Sequence, residues 1–253
     1  MTEQRWHRHP LPHGDGPVPT LVWLHGWGQT GASLLPLAGL LAPRSHALVF
    51  DLPGFGRTPM LAPDAGTADY ADALAAEIAG KERVVLVGHS FGARIALQFA
   101  ARYPTRVAAL VLIAGAGLRR ERSRVWRFRA YGLKTLGRLA RVLDRLVGSD
   151  LHVRYRRRFG SADYRRAGAL RGTFLKAVNE DLGALAQAVH VPALLIYGRE
   201  DRETPPEIGA RFAALMPGAE LHVLEGFGHL DILGRGAYQC EHLIARFLER
   251  HAR

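Results

Sequence analysis

The sequence predicts an α/β fold in which a mostly parallel sheet is covered by helices on both faces and carries an inserted helical cap. Short runs of Val, Leu, Ile and Ala recur along the chain, and strands buried on both faces have this continuous apolar character. Segments with helical character separate the runs, as the crossovers between parallel strands require. With 253 residues, 48% of them hydrophobic, the chain can bury one large core.

Six apolar runs are predicted as the parallel strands, and a short antiparallel strand is predicted near residues 6–11. The parallel strands are predicted at residues 20–24, 46–51, 84–88, 107–114, 193–198 and 219–224. Helices are predicted at residues 70–79, 93–101, 207–216 and 238–250. Because parallel strands end at the same edge of a sheet, residues in the loops that follow them are expected to converge there.

The most informative motif follows one of these strands. Residues 88–92 read Gly-His-Ser-Phe-Gly, directly after the apolar run 84–87 and before the helix at 93–101. This G-x-S-x-G pattern is typical of a sharp strand-to-helix turn that exposes a serine, with glycines where larger side chains would collide. A serine hydroxyl in that position becomes a useful nucleophile when a base and oxyanion donors lie beside it. The pattern therefore predicts Ser90 as a catalytic nucleophile.

A base and an acid for this nucleophile follow the last two predicted strands. Asp201 lies in the loop after residues 193–198, and His229 lies in the loop after residues 219–224. Serine, acid and histidine then occur in the chain order that this type of site uses. Three glutamates are alternative candidates for the acid, but Asp201 has the best position. The alternatives are Glu200, Glu203 and Glu225.

A turn after the first parallel strand completes the predicted site. The strand ends in a His-Gly-Trp-Gly sequence, which is predicted to present the backbone N–H of Trp27 toward the nucleophile. Together with the N–H of Phe91, it would form an oxyanion hole. The alternative is that His25 and Gly26 only make a tight turn. We predict His25, Gly26 and Trp126 as substrate-binding residues.

With these motifs the chain resembles the α/β-hydrolase-fold serine hydrolases, over about residues 20–117 and 190–250. The Asp-Leu-Pro-Gly-Phe-Gly segment at 51–56 belongs to the same resemblance. It implies the α/β-hydrolase fold and hydrolysis of a carboxylic ester or thioester through an acyl-enzyme, without a cofactor. Dehalogenases and epoxide hydrolases of this family use an aspartate nucleophile, so Ser90 excludes them.

Other functions of the same fold stay open at this stage. The His-Gly-Trp-Gly turn is similar to that of pimeloyl-carrier-protein methyl ester esterases, and meta-cleavage-product C–C hydrolases share the general pattern. Hydroxynitrile lyases and some cofactor-free oxygenases keep a similar triad, so a C–C bond hydrolase, a lyase or such an oxygenase is an alternative. A binding protein that holds an acidic partner is a non-enzyme alternative, which the complete triad disfavours. The histidines lack metal-ligand spacing, so no metal site is predicted.

Residues 118–187 interrupt the sheet rhythm and are predicted as a helical cap over Ser90, with the hydrolase core formed by 1–117 and 188–253. Between residues 119 and 171 there are sixteen arginines and one lysine against four acidic residues, a net charge of +13. The whole chain carries +11, so the remainder carries −2. The basicity belongs to the cap.

This charge predicts an anionic contact for the cap, beside the small acyl substrate of the site. Candidates are an acidic acyl carrier protein, an anionic group on the substrate and an anionic surface. The alternative is a solvated face in an arginine-rich chain, which has 31 arginines and three lysines. Nucleic acid is disfavoured as a partner because no nucleic-acid-binding module is visible.

The remaining observations concern location and supporting residues. A single cysteine, the absence of a secretory leader pattern and the absence of a membrane-spanning run predict a cytoplasmic protein. Asp51 is expected to hold its own loop by local hydrogen bonds. Arg94, early in the helix after Ser90, is expected to pair with a carboxylate such as Asp51. His89 is expected to support the turn before the serine.

Overall fold

The computed structural model describes residues 6–12, 14, 18–81, 83–119, 132, 135, 144 and 162–252. Within this part of the chain, seven strands form one sheet in the order β1-β3-β2-β4-β5-β6-β7. The strands are β1 (Arg8–His9), β2 (Val18–Leu24), β3 (Ser45–Phe50), β4 (Val84–His89), β5 (Val107–Ile113), β6 (Ala193–Gly198) and β7 (Glu220–Leu224). Strand β1 pairs antiparallel with β3, and all other pairs are parallel. The predicted fold class is confirmed, including the short antiparallel strand.

Helices cover both faces of the sheet. They are α1 (Leu35–Leu41), α2 (Thr67–Glu77), α3 (Phe91–Arg102), α4 (Ala162–Arg166), α5 (Arg171–Asn179), α6 (Gly183–Gln187), α7 (Pro206–Leu215) and α8 (Ala237–His251). The four helices predicted for the core, α2, α3, α7 and α8, are confirmed to within about three residues at each end. Helix α1 was not predicted, because its seven residues include a proline and a glycine. The proline lies in the first turn, where it is tolerated, and burial of three apolar side chains against the sheet stabilises the helix.

The core has two halves, one on each face of the sheet. Helices α2, α3, α6 and α7 pack on one face, and α1 and α8 pack on the other. In the central strand β5, Leu110 and Leu112 belong to the first half, while Val111 and Ile113 belong to the second. Both faces of the strand are therefore buried, which is why its sequence is apolar without alternation.

The predicted cap is described in part. Residues 162–187 are helical and form α4, α5 and α6, of which α5 packs against α2. Trp126 and most of the arginine-rich stretch lie outside the described residues. The division into a core and a cap with the stated boundaries stays a prediction. Among the described helices, none combines the length and the apolar character needed to cross a membrane.

Two glycines allow α3 to start directly against β2. A Cβ atom at Gly92 would lie 2.0 Å from the carbonyl oxygen of Leu24, which is far inside any permitted contact. A Cβ atom at Gly88 would lie 2.6 Å from the carbonyl oxygen of Gly92. This close approach brings Ser90, at the end of β4, beside the loop that follows β2.

We expect the substitution Gly92→Ala to destabilise the fold, because its Cβ would force α3 away from β2. The free energy of unfolding, measured by urea denaturation, should fall by about 1–3 kcal/mol or more, as overpacking of a closed contact does. Gly80→Ala is the matched control, since a Cβ atom at Gly80 meets nothing within 4 Å. Equal free energies for the two variants would contradict this account of the helix–strand contact.

Candidate active site

Ser90 has an unusual backbone conformation at the turn between β4 and α3. Its φ is 50° and its ψ is −104°, a region that residues with side chains adopt at a cost of roughly 1–3 kcal/mol. The Ser90 N–H donates to the carbonyl of Ile113 at the end of β5, 3.1 Å away. The neighbouring strand thus holds the strained residue in place. Its hydroxyl lies at the carboxyl edge of the sheet, on the wall of a cavity.

The structure brings Ser90, His229 and Asp201 into one hydrogen-bonded chain. His229 Nε2 lies 2.9 Å from Ser90 Oγ, and His229 Nδ1 lies 2.7 Å from Asp201 Oδ2. Asp201 is 3% exposed and His229 is 9% exposed. The geometry therefore allows the imidazole to take the serine proton while the carboxylate orients it.

Asp201 is held as an ionised carboxylate by the loop around it. Its Oδ1 accepts hydrogen bonds from the backbone N–H groups of Glu203 and Thr204, at 2.8 and 2.9 Å. Burial acts to raise the pKa of Asp201, but the hydrogen bonds from His229 and Thr204 outweigh it and hold the pKa below its usual range. A charged acceptor therefore faces Nδ1 of the His229 imidazole.

The competing glutamates lie in other places. Glu203 Oε2 is 3.5 Å from His229 Nε2, the nitrogen that faces the serine, and its side chain is 64% exposed. Glu225 pairs with Arg199 at 3.0 Å, and Glu200 is exposed. Of these carboxylates and Asp201, Asp201 is the one that hydrogen-bonds to Nδ1.

Thr204, which was not predicted as a site residue, holds the Asp201 carboxylate. Its buried hydroxyl lies 2.8 Å from Asp201 Oδ2, 2.9 Å from the carbonyl of Ala114 and 3.1 Å from His229 Nδ1. It therefore ties the acid to the end of β5. The signal in the sequence was a threonine three residues after an aspartate, where the aspartate can accept hydrogen bonds from the following backbone.

The two predicted oxyanion donors line the same cavity as Ser90. Phe91 is the first residue of α3, so its N–H has no partner within the helix. The N–H of Trp27 donates no hydrogen bond to any residue that the structure describes. The turn that carries it contains Gly28 at φ 69° and is fixed by a hydrogen bond from the Gly26 N–H to Gln29 Oε1, 2.9 Å long.

His25 does not contact the cavity, which corrects the expectation that it binds substrate. Its ring is fully buried; Nε2 accepts a hydrogen bond from the N–H of Leu52 at 2.9 Å, and Nδ1 donates to the carbonyl of Gly26 at 2.8 Å. Both ring nitrogens are thus used to join the loops after β2 and β3, and burial lowers the pKa of His25 to about 4. Gly26 does line the cavity, and Trp126 lies outside the described residues.

The ring of His89 packs against the ring of His229. Its Nε2 donates to the carbonyl of His229 at 3.0 Å, and the two ring centroids are 4.9 Å apart. Burial, and next the proximity of His229, lower the pKa of His89 to about 3, so this ring is neutral. His89 therefore anchors the loop that carries His229.

Asp51 holds its loop, as the sequence predicted, and does not meet Arg94. Its carboxylate accepts hydrogen bonds from the N–H groups of Gly31 and Arg57 and from His9 Nε2, at 2.8, 2.9 and 2.7 Å. His7, His9 and Asp51 each place a possible ligand atom within 4.8 Å of the others. Because these hydrogen bonds already occupy both Asp51 oxygens, we assign no metal to this cluster.

Aromatic side chains form one wall of the cavity around Ser90, which has a volume of about 960 Å³. The Trp27 ring lies 5.1 Å from Phe55, 5.3 Å from Phe91 and 5.1 Å from Phe174, measured between centroids. Phe174 belongs to α5, so this helix contacts Trp27 in the turn after β2. An apolar portion of a substrate would be buried against this wall.

Comparison with known proteins agrees with this geometry. A model of the Alpha/beta hydrolase family matches residues 21–237. The chain is 32% identical over 233 residues to a pimeloyl-acyl-carrier-protein methyl ester esterase of Chromobacterium violaceum, with 86% of this chain and 90% of that protein covered. It is 28% identical over 244 residues to a 2-hydroxy-6-oxononadienedioate/2-hydroxy-6-oxononatrienedioate hydrolase of Burkholderia vietnamiensis, with 87% and 79% covered.

A solved structure shows the same fold. A lipase-esterase related protein from Clostridium acetobutylicum superposes with a TM-score of 0.71 at 18% identity, covering 96% of this chain and 99% of that chain. At this identity the likeness concerns the arrangement of strands and helices.

The two buried, neutral histidines predict how stability changes with pH. Because the pKa values of His25 and His89 are lowered to about 4 and about 3, the unfolded chain binds protons at a pH where the folded protein does not. The free energy of unfolding should be highest above about pH 6.5 and fall toward pH 4, by about 1.4 kcal/mol per pH unit for each histidine. Urea denaturation between pH 7.5 and 4.5 measures this slope.

The variant His89→Gln separates the two contributions, since its amide nitrogen lies as many bonds from Cα as Nε2 and can still donate to the carbonyl of His229. Its slope should be shallower by about one proton in the same pH range. An unchanged slope would show that the protonation of His89 does not govern stability.

Proposed function

The chain belongs to the alpha/beta hydrolase family and is an enzyme of the serine hydrolase type, and from that premise we propose that it cleaves a carboxylic ester or thioester with Ser90, His229 and Asp201. The observation that carries this proposal is the continuous hydrogen-bonded chain from the serine hydroxyl to the buried carboxylate. Ser90 is the proposed nucleophile, His229 the base and Asp201 the orienting acid.

In the proposed acylation step, His229 Nε2 takes the Ser90 proton as Oγ bonds to the carbonyl carbon of the substrate. Asp201 stabilises the imidazolium through Nδ1, and the N–H groups of Trp27 and Phe91 stabilise the negative oxygen of the tetrahedral intermediate. The intermediate then expels the alcohol or thiol, which receives the proton from His229, and an acyl-enzyme is left on Ser90.

Deacylation repeats these steps with water as the nucleophile. His229 takes a proton from the water molecule as its oxygen attacks the acyl carbonyl, and the same two N–H groups stabilise the second intermediate. Collapse of that intermediate releases the carboxylic acid and returns the proton to Ser90.

The aromatic wall of the cavity favours a substrate with an apolar portion next to the scissile carbonyl. The relative from Chromobacterium violaceum is named for a methyl ester carried on an acyl carrier protein. We propose that the arginine-rich cap attracts an acidic partner of this kind, although most of those arginines lie outside the described residues.

A cytoplasmic location is part of the proposal, and the buried Cys240, which forms no disulfide, is compatible with it.

A second candidate is hydrolysis of a carbon–carbon bond by the same residues. The relative from Burkholderia vietnamiensis carries the name of such an enzyme, and its substrate is a dienedioate. Product analysis separates the two: an esterase releases an alcohol from a simple ester, whereas a C–C hydrolase breaks a carbon–carbon bond of 2-hydroxy-6-oxononadienedioate.

We expect Ser90→Ala to lower kcat on p-nitrophenyl esters, tested from acetate to palmitate, by about 10⁴-fold or more. The same change at Ser45→Ala is the control, because Ser45 begins β3 at the opposite end of the sheet and bonds to the carbonyl of Leu41. A fluorophosphonate should add covalently to the wild type and to Ser45→Ala but not to Ser90→Ala, as read by mass spectrometry. Retained turnover in Ser90→Ala would overturn the assignment of the nucleophile.

A matched pair of variants tests the identity of the acid. Asp201→Asn should lower kcat by about 10⁴-fold, because the amide stabilises the wrong tautomer of His229. Glu203→Gln should stay within a few-fold of the wild type, since Glu203 is exposed and lies on the Nε2 side of the ring. The reverse order of effects would make Glu203 the acid.

A further inference from the structure

Arg94 lines the cavity beside the nucleophile and takes no part in the proposed chemistry. It lies four residues after Ser90 in α3, a rise of about 6 Å along the helix axis. Its side chain is 12% exposed, although an arginine is usually at the surface. Burial acts to lower the pKa of Arg94, and the charges of Glu180 and Asp181 oppose that effect.

The guanidinium group is poorly hydrogen-bonded for a buried cation. Its Nη1 donates to the carbonyl of Glu180 at 3.4 Å and lies 3.9 Å from the Glu180 carboxylate. That carboxylate is instead bound closely by the Thr67 hydroxyl, at 2.6 Å, and by the Gln98 amide, at 2.9 Å. Nε and Nη2 of Arg94 make no hydrogen bond to any residue that the structure describes.

Two other arginines show what a structural arginine looks like in this protein. Arg102, on the same helix, binds the Asp72 carboxylate with Nε and Nη2 at 2.8 and 2.6 Å. Arg106 binds two backbone carbonyls at 3.0 and 2.7 Å. Arg102 uses its Nε–Nη2 edge to bind a carboxylate. The same edge of Arg94 makes no hydrogen bond to any residue that the structure describes. This edge is the fork that binds a carboxylate through two parallel hydrogen bonds.

We propose that Arg94 binds a carboxylate of the substrate, so that the enzyme prefers esters whose acyl chain ends in a negative charge. The inference rests on the proposed ester hydrolysis and names the substrate class for it. Glu180 balances the charge of Arg94 from the Nη1 side and makes no hydrogen bond to Nε or Nη2. The aromatic wall then takes the methylene chain between the ester and the distal carboxylate.

Pairs of methyl esters that differ only at the far end of the acyl chain test this preference. Monomethyl glutarate is matched with methyl valerate, and monomethyl adipate with methyl hexanoate, with kcat/KM followed by methanol release. In the wild type the charged ester of each pair should be the better substrate. Arg94→Gln should lower the charged-to-neutral ratio by about tenfold to a hundredfold, which is the range for a charge-assisted hydrogen bond.

Two more variants control for charge and geometry. Arg94→Lys keeps the charge but loses the fork, so its ratio should lie between those of the wild type and Arg94→Gln. Arg102→Gln removes the same charge from the same helix outside the cavity, and it should keep the wild-type ratio. Equal loss of activity on both esters in Arg94→Gln would make Arg94 a tether for Glu180 and overturn the proposal.

A binding measurement keeps this test separate from that of the proposed function. Ser90→Ala should bind monomethyl adipate more tightly than methyl hexanoate in calorimetry, and the double variant with Arg94→Gln should lose that difference. If the wild type cleaves neither ester but this binding pattern holds, the carboxylate site stands and the ester hydrolysis fails. If the wild type cleaves both esters and the binding is unchanged by Arg94→Gln, the hydrolysis stands and the carboxylate site fails.

Discussion

The contact between the start of α3 and the end of β2 is the constraint on which the rest of the site depends. At Gly92 the helix backbone lies so close to the Leu24 carbonyl that even a Cβ atom would not fit. This proximity sets the distance between Ser90 and Trp27, because Ser90 follows β4 and Trp27 lies in the turn after β2. The strained φ of Ser90 is the local consequence, and the strand on the other side, β5, holds it by a hydrogen bond.

Buried, neutral imidazoles hold the loops around that contact. His25 joins the loops after β2 and β3, and His89 joins the end of β4 to the loop after β7. A neutral imidazole offers one donor and one acceptor in a rigid ring; His25 uses both, and His89 uses its donor. Burial lowers both pKa values, so no positive charge lies beneath His229 when it takes a proton. His25 and His89 thus add no charge near His229, and the carboxylate of Asp201 is the charge that acts on its Nδ1.

Local motifs predicted the fold and the meeting of Ser90, His229 and Asp201, whereas other contacts between distant segments were not predictable. Ser90, Asp201 and His229 each follow a recognisable strand, and a parallel sheet brings strand ends together by topology alone. Arg94 was expected to pair with a carboxylate such as Asp51; the carboxylate near it is that of Glu180, and the Asp51 carboxylate is turned toward the N–H groups of its neighbouring loops. His25 was expected to bind substrate because it stands in the His-Gly-Trp-Gly turn after β2. The direction of its ring, however, is set by the hydrogen bond that it accepts from the N–H of Leu52. No pattern in one segment carries that information.

The cavity combines two kinds of contact that act differently on substrate choice. The aromatic wall of Trp27, Phe55, Phe91 and Phe174 buries apolar area and gains affinity for any methylene chain, with little discrimination between chains of similar length. A buried guanidinium with a vacant fork discriminates, because a neutral group placed against it leaves its donors unpaired. Glu180 makes this arrangement tolerable in the absence of substrate, since its carboxylate lies 3.9 Å from Nη1 of Arg94 and is held in place by Thr67 and Gln98. The affinity for the chain and the choice of its end group therefore arise from separate parts of one cavity.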